Sequence, residues 1–230
     1  PEQANKCVLL MHTQVSDDNG TNLMAVKNAL CPKYKVLFSN SSIDTKMLNF
    51  YYNLADVTVN VASNEGFGIS WNESLHAGTP IINNTTGGLQ DGCRFEDENG
   101  DWIEFDTHFP SNHTGKYKKH ANWAKPVFPA CQSIQGSPMT PYIFDDRCDF
   151  RDVADAMLYW YELDKDLRFQ YGLEGRDWVC GDESYMSAKG MSQRMSECIE
   201  ECFEKWTPRK RVIMYKVEQV KQIENPGVIL

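Results

Sequence analysis

The sequence predicts an α/β fold in which a parallel β-sheet is covered by helices on both faces. Short runs of apolar residues alternate along the chain with segments whose apolar residues recur at helical spacing. The apolar runs are rich in aliphatic residues and lack polar alternation, which is typical of strands that are buried on both faces. Helix-capping and helix-ending residues separate the segments, so each element has a definable start and end.

The strands of this sheet come from the first part of the chain. The predicted strands are residues 7–12, 35–39, 57–62 and 80–83. The predicted helices are residues 22–31, a segment that Asp44 caps and that runs to Leu54, and residues 68–77. Gly78 and Pro80 follow the third helix, as expected at a helix end. The alternation predicts a Rossmann-like, doubly wound sheet, and such sheets bind ligands at the carboxyl ends of their strands.

The later part of the chain departs from this alternation. Periodicity fades over residues 93–148, where an acidic stretch precedes a basic one, but the aromatic residues there argue against disorder. We expect an ordered excursion loop that could contain a hairpin. Helical patterns return after Asp149, and the last helix carries an apolar stripe that is expected in the core. We therefore predict one Rossmann-like domain over residues 1–207 and a tail over residues 208–230.

Composition excludes several classes of function. The chain has 230 residues and a net charge of −9, which argues against a general nucleic-acid binder. It has no apolar run of the ~18–20 residues that a membrane span needs, and no signal peptide. We expect a cytoplasmic location, and since the chain opens at Pro1 we expect it to be part of a longer protein. The eight cysteines are expected to be buried free thiols, with zinc binding less favoured.

One segment carries most of the functional information. It begins just after the third predicted strand and reads Glu65-Gly66-Phe67-Gly68-Ile69-Ser70-Trp71-Asn72-Glu73. If Gly68 opens a helix, the helix N-terminus lies between the two carboxylates and offers backbone N–H groups to a phosphate. Carboxylates accept hydrogen bonds from vicinal hydroxyls, so one acid could hold a hexose and the other a ribose. The alternative is an ordinary strand–loop–helix connection with incidental acids.

The surrounding sequence favours the functional interpretation. The segment Tyr51–Val57 leads into the strand, Ala77–Pro80 forms a small-Gly-Thr-Pro turn, and Gly87–Gly88 forms a second turn. Together with the E-x7-E pair of Glu65 and Glu73, this series resembles the donor-binding C-terminal half of GT-B-fold retaining glycosyltransferases of family 4 (group 1). Residues 149–179, with their Gly172…Gly175-Arg176 stretch, are similar to the closing helices of that family.

The resemblance implies a role for each matched residue. Glu65 would contact the transferred sugar near the reacting carbon and is the catalytic candidate. Gly66, Phe67, Gly68 and Ile69 would line the sugar and the diphosphate, and Glu73 would bind the ribose hydroxyls. The substrate would be a nucleotide-sugar such as a UDP- or GDP-hexose, with no cofactor and no bound metal. The acceptor, whether glycan, lipid or protein, is not identified by these residues.

The chain also departs from the family pattern. The family's diphosphate-binding Arg and Lys and its acceptor-binding N-terminal domain would lie upstream of this sequence, so the chain alone is expected to be an incomplete catalytic unit. The excursion is longer than is usual in the family. A non-catalytic nucleotide-sugar-binding module remains an alternative. A dinucleotide-dependent oxidoreductase is disfavoured, because residues 13–18 lack the Gly-x-Gly-x-x-Gly turn after the first strand.

Other residues allow both a functional and a structural interpretation. His12, at the end of the first predicted strand, could face the ligand cleft, but a packed or solvated histidine is favoured. The basic tract at residues 116–120 could bind an anionic acceptor, but a solvated loop is favoured. Gly87 and Gly88 could approach a ligand or simply form a turn.

Overall fold

The computed structural model describes residues 2–16, 20–103, 113, 115–137 and 139–209. Its strands are β1 (Leu9–His12), β2 (Val36–Ser39), β3 (Thr58–Asn60), β4 (Ile81–Asn84), β5 (Ala124–Val127), β6 (Pro129–Ser137) and β7 (Thr140–Cys148). Its α-helices are α1 (Leu23–Leu30), α2 (Thr45–Leu54), α3 (Ile69–His76), α4 (Phe150–Glu162), α5 (Lys165–Cys180) and α6 (Ala188–Lys205). Two 3-10 helices, Ala4–Lys6 and Gly87–Cys93, complete the described elements.

Parallel strands form the centre of the fold. β3, β4 and β5 pair in that order, with Thr58 opposite Ile81 and Ile81 opposite Ala124. β1 and β2 form a second parallel pair, and β6 and β7 form an antiparallel hairpin. Because β3, β4 and β5 run in the same direction, their carboxyl ends meet at one edge of the sheet. The predicted α/β fold with parallel strands and helices is thus confirmed.

Two clusters of buried side chains lie on opposite faces of this sheet. Ile81 and Ile82 are adjacent in β4 and point to opposite sides. Ile81 packs with Trp71 of α3 and Trp178 of α5, whereas Ile82 packs with Trp160 of α4. The sheet is therefore covered on both faces, as the unbroken apolar character of β4 predicts.

Glycine permits a close approach between α5 and the end of α3. A Cβ atom on Gly172 would lie 1.9 Å from the carbonyl oxygen of Gly78, so no other residue fits without moving a backbone. Gly78 itself has a φ of +79°, the left-handed conformation that ends α3 as the sequence predicts. Gly175 also lies close to its neighbour Trp123, where an added Cβ atom would be 2.8 Å from the indole ring. The glycine spacing of α5 thus fixes where this helix packs.

Capping residues begin two of the predicted helices. The Asp44 carboxylate accepts a hydrogen bond from Met47 N at the start of α2, and Asp149 accepts one from Arg151 N at the start of α4. Both predicted caps are confirmed. Pattern and cap together explain why these boundaries are readable from sequence alone.

The stretch at 93–148 contains a hairpin, as expected, and also a strand that the sequence does not predict. β5 lies inside it and pairs with β4, with Asn83 opposite Pro126. A proline argues against a central strand, which hides β5 in the sequence. In the described sheet β5 pairs with β4 continuously from Ala124 to Val127, so Pro126 does not interrupt the pairing with β4.

Predicted burial is wrong at both ends of the chain. β1 and β2 contain no fully buried residue, although their apolar runs predict buried strands. The stripe of α6 is exposed as well: Met195 is 63% exposed, Phe203 80% and Trp206 69%. An apolar pattern indicates that burial of those side chains would be favourable. It does not indicate that another helix or strand of the chain lies next to them.

Burial is also mispredicted for the cysteines. All eight are free thiols, as predicted, but of these Cys93 alone is buried.

None of the helices in the described part of the chain has the length and apolar character to cross a bilayer. The acidic residues Asp17, Asp18, Glu104 and Asp106 and the tail from residue 210 onward lie outside the described residues.

Candidate functional site

The loop that contains Glu65 begins at the carboxyl end of β3. Asn60, the last residue of β3, donates a hydrogen bond from Nδ2 to Ser70 Oγ at 2.9 Å and accepts one from Ala62 N at 3.1 Å. This side chain therefore ties the strand end both to the loop that follows and to the first turn of α3. The connection places Glu65 between two fixed points of the fold.

Gly68 is the N-cap of α3, as the sequence predicts. Its φ of +83° lies in the left-handed region, and a Cβ atom there would be 2.5 Å from Leu89 Cδ2. Both the conformation and the close contact require glycine. The first turn of α3 therefore starts directly after Gly68, next to the exposed backbone of Gly66, and it presents N–H groups and a positive dipole end there.

Trp71 holds the loop from below. Its indole Nε1–H donates to the carbonyl oxygen of Phe67 at 2.7 Å, and the two rings lie 5.1 Å apart. The side chain of Trp71 is completely buried in the core. This indole therefore connects the position of the loop directly to the packing of the sheet and helices.

Gly87 and Gly88 hold the loop from the side. The N–H of Gly88 contacts the carbonyl oxygens of Glu65 and Gly66 at 3.3 and 3.2 Å. A Cβ atom on Gly87 would lie 1.9 Å from Glu65 O, and one on Gly88 would lie 2.5 Å from Gly66 O. These glycines therefore pack closely against the backbone of the Glu65 loop, a role that the sequence does not indicate.

Glu73 is held by a residue to which the sequence assigns no role. The hydroxyl of Tyr52 in α2 donates to Glu73 Oε2 at 2.9 Å. The carbonyl oxygen of Tyr52 in turn accepts from Thr79 Oγ1 at 2.7 Å. Burial raises the pKa of Tyr52 above its ordinary value, and the hydrogen bond to Glu73 and its charge add to the rise. Tyr52 therefore stays protonated and orients the Glu73 carboxylate.

The predicted site residues differ in accessibility. Glu65 and Glu73 are half-buried, and Gly66 is exposed. Phe67 is 38% exposed and Ile69 64% exposed, so both side chains face an open surface. Two carboxylates on either side of a helix N-terminus can accept hydroxyl hydrogen bonds while the backbone between them faces an anion.

A second polar group lies at the carboxyl ends of β1 and β2. The imidazole Nδ1 of His12 lies 3.1 Å from Ser39 Oγ, which lies 3.1 Å from the hydroxyl of Tyr51. The His12 ring meets the edge of the Tyr51 ring at 5.8 Å. His12 is thus solvated and packed against Tyr51, as favoured from the sequence. Among the described residues no cluster of His, Cys, Asp or Glu has the arrangement of a metal site.

Three of the residues that build the site carried little signal in the sequence. Tyr52 and Thr79 act through contacts with residues that are distant in the chain, whereas Trp71 acts on Phe67, four residues before it, through its burial in the core. A hydrogen bond between α2 and α3, such as that from Tyr52 to Glu73, follows from how helices pack and has no local sequence signature. The Gly-Thr-Pro turn was the one available hint for Thr79, whose hydroxyl reaches α2.

Comparison with known proteins places this geometry in a structural context. A scan against protein-family models and a search of curated proteins found no match. Among solved structures, the chain is similar to sucrose-phosphate synthase from Thermosynechococcus elongatus, with a TM-score of 0.55 and 19% identity over 85% of this chain and 38% of that one.

It is also similar to HepE from Anabaena, solved in complex with UDP and glucose, with a TM-score of 0.53 and 12% identity over 87% of this chain and 43% of that one. The chain thus spans about two fifths of the length of the solved structures that it matches. At these identities the likeness concerns the fold, which is an α/β fold similar to that of GT-B glycosyltransferase structures.

Proposed function

We propose that this chain is the donor-binding part of a retaining glycosyltransferase of the family 4 type, which transfers a hexose from a nucleotide-sugar. The observation that carries the proposal is the loop between β3 and α3. In this loop Glu65 is followed along the chain by the exposed backbone of Gly66 and then by the N-terminus of α3. Glu73 lies about one helical turn into α3, where the hydroxyl of Tyr52 orients its carboxylate. The structural likeness to a protein solved with UDP and glucose supports the same class of ligand.

In this proposal each part of the site binds one part of the donor. Glu65 accepts hydrogen bonds from sugar hydroxyls close to the anomeric carbon. The backbone from Gly66 to Ile69 lines the sugar and the diphosphate. The carboxylate of Glu73 accepts hydrogen bonds from the ribose hydroxyls. The bond between the anomeric carbon and the diphosphate oxygen breaks during transfer, so charge develops on the leaving diphosphate. The N-terminus of α3 stabilises that charge.

The remaining parts of the reaction would be supplied by groups outside this chain. An acceptor site and cations for the diphosphate belong to the upstream half in the family that the sequence resembles. The chain is therefore proposed to bind donor by itself and to need a further domain for transfer. A cytoplasmic location belongs to the same proposal and agrees with eight free thiols.

Calorimetric titration of the chain with UDP, GDP and ADP, and with their hexose conjugates, tests the proposal. Saturable binding of one nucleotide is expected, with tighter binding of its sugar conjugate. Glu73→Ala should weaken nucleotide binding by roughly 1–3 kcal/mol because hydroxyl contacts are lost. Glu200→Ala, at an exposed position of α6, is the matched control and should bind as the wild type does.

The sugar role of Glu65 is tested in the same way. Glu65→Ala should leave the affinity for the nucleotide close to that of the wild type and should remove the additional affinity that the sugar provides. No binding of any nucleotide at millimolar concentration would reject the donor-site proposal. If Glu65→Ala weakened nucleotide binding more than Glu73→Ala did, the two carboxylates would have to exchange roles.

A further inference from the structure

The β6–β7 hairpin joins the sheet at the edge where Glu65 lies. β6 follows β5 after one residue, and β5 ends at the same edge as β3 and β4. The chain returns along β7 to Cys148 and then enters α4. The hairpin is therefore inserted between β5 and α4, directly above the carboxyl ends of the parallel strands.

Asp146 of β7 anchors this hairpin to the fold. The residue is 3% exposed. Its Oδ2 accepts a hydrogen bond from Thr86 Oγ1 at 2.7 Å, and its Oδ1 accepts one from Gln132 Nε2 at 2.7 Å across the hairpin. A carboxylate offers acceptor oxygens to both donors, whereas an amide would present an N–H group to one of them. The two contacts therefore explain why an acid occupies this buried position.

The backbone of Asp146 reaches the loop that precedes Glu65. Its N–H donates to the carbonyl oxygen of Ser63 at 2.8 Å. Its carbonyl oxygen accepts from Asn84 Nδ2 at 2.8 Å, and the same amide nitrogen lies 2.9 Å from the carbonyl oxygen of Ala62. The hairpin thus holds the chain directly at Ser63, and Asn84 of β4 links the hairpin to Ala62, so both residues that lead into Asn64 and Glu65 are fixed.

The side chain of Asp146 reaches the other support of the Glu65 loop. Thr86, which donates to the carboxylate, directly precedes Gly87 and Gly88, and the N–H of Gly88 contacts the carbonyl oxygens of Glu65 and Gly66. One residue therefore contacts both segments that position Glu65, the segment before it and the segment packed beside it. Glu73 and α3 are held separately, through Tyr52 and Asn60.

We propose that Asp146 is a positioning residue for the donor sugar: it sets the location of Glu65 relative to α3, and the hairpin acts as the support of that loop. The proposal rests on the proposed function, because it assigns Glu65 to the sugar. It predicts a specific separation of effects. Loss of the Asp146 carboxylate should disturb sugar recognition at Glu65 and leave nucleotide recognition at Glu73 in place.

The test compares Asp146→Asn with Asp145→Asn in calorimetric titrations with UDP and with UDP-glucose. Asp145 is the neighbouring acid on the opposite face of β7, where it lies 3.6 Å from Arg147. In Asp146→Asn the Kd for UDP should stay within about twofold of the wild type, while the tightening that glucose provides should fall by about tenfold, the effect of one lost charged hydrogen bond. Asp145→Asn should retain the wild-type ratio of the two Kd values.

A second pair of variants covers the case in which Asp146→Asn does not fold. Thr86→Val removes the hydroxyl that donates to Asp146, and Thr86→Ser keeps it. Thr86→Val should lower the UDP-glucose to UDP preference and Thr86→Ser should restore it, with similar melting temperatures. An equal loss of affinity for both ligands, or an unchanged preference in Asp146→Asn and Thr86→Val, overturns the positioning role. If the wild type binds neither UDP nor UDP-glucose, the same comparison is made with whichever of GDP and ADP binds, together with its hexose conjugate. If the wild type binds none of these nucleotides, the proposed function itself is rejected, and this outcome is distinct from the previous one.

Discussion

Tyr52 is the residue through which the position of Glu73 depends on a second helix. Its hydroxyl is the hydrogen-bond donor to Glu73 Oε2, and its backbone is held by Thr79. Tyr52→Phe keeps the ring and removes the donor. Nucleotide binding should weaken by about 0.5–1.5 kcal/mol, since the carboxylate loses one orienting hydrogen bond. Titration with UDP measures this effect.

The matched control for this change is Tyr161→Phe. Tyr161 lies on α4, which packs on the sheet away from α2. This variant should bind UDP as tightly as the wild type. Equal affinities for all three proteins would show that Tyr52 does not orient Glu73.

Asp91 gives the molecule a pH dependence that does not involve ligand. Burial raises the pKa of its carboxyl from 3.8 to about 6. The folded state therefore holds this proton more tightly than the unfolded state. The resulting stabilisation is fully present below pH 3.8 and is lost as the pH rises through about 6.

Asp91→Asn isolates this effect, because asparagine stays neutral at every pH. The free energy of unfolding of the variant, minus that of the wild type, should increase between pH 4 and pH 7 by at most about 3 kcal/mol. Urea denaturation at several pH values measures the difference. A difference that does not change with pH would show that Asp91 titrates normally in the folded protein.

At the scale of elements, the 3-10 helix Gly87–Cys93 packs so closely against the Glu65 loop that no side-chain atom fits between them at Gly88. In Gly88→Ala the new Cβ atom would lie 2.5 Å from both Gly66 O and Phe67 Cα. The loop must move, so stability should fall by roughly 1–3 kcal/mol. Binding of nucleotide-sugar should weaken in parallel. Thermal unfolding and titration on the same sample measure both effects.

Gly66→Ala is the informative comparison for this variant. An added Cβ atom at Gly66 meets no atom within 4 Å, because the position faces outward from the loop. Its stability should therefore match that of the wild type, while binding should weaken if a donor approaches the backbone there. Similar stability losses in both variants would contradict the packing difference between the two glycines.

At the scale of the whole molecule, apolar side chains are buried around the sheet but exposed along α6. The sheet buries Trp71, Trp160 and Ile81 almost completely, whereas α6 exposes the apolar side chains along its stripe. Exposed apolar residues contribute little to the folding of the chain but promote association. The stripe should therefore affect the behaviour of the chain in solution more than its stability.

Phe203→Gln tests this division. Phe203 is 80% exposed, so the free energy of unfolding should change by no more than about 0.5 kcal/mol. Light scattering at increasing protein concentration should show less association than the wild type. Trp160→Ala, at a buried position, should instead cost roughly 3–5 kcal/mol. A large stability loss in Phe203→Gln would show that α6 packs against the rest of the chain.

Local sequence was sufficient for the order and type of most elements in the fold. Asp44, Asp149 and Gly78 act on the residues next to them, so their roles could be predicted from the sequence. β5 was missed because Pro126 conflicts with the usual preference of a strand, and only its pairing with β4 makes the conformation favourable. Burial was mispredicted for α6, since coverage depends on which elements are adjacent in space.

The sequence by itself determined where the proposed donor-binding loop lies and which acids flank it, because Glu65, Gly68 and Glu73 occupy one continuous strand–loop–helix segment. The tertiary structure decided what holds that loop in place. Trp71, Gly88 and Asp146 reach it from the core, the 3-10 helix and the hairpin. The contacts of Gly88 and Asp146 join residues far apart in the chain, and the indole of Trp71, four residues after Phe67, is positioned by its burial in the core, so all three contacts depend on packing. The acids are thus a property of the local sequence, and their positions are a property of the fold.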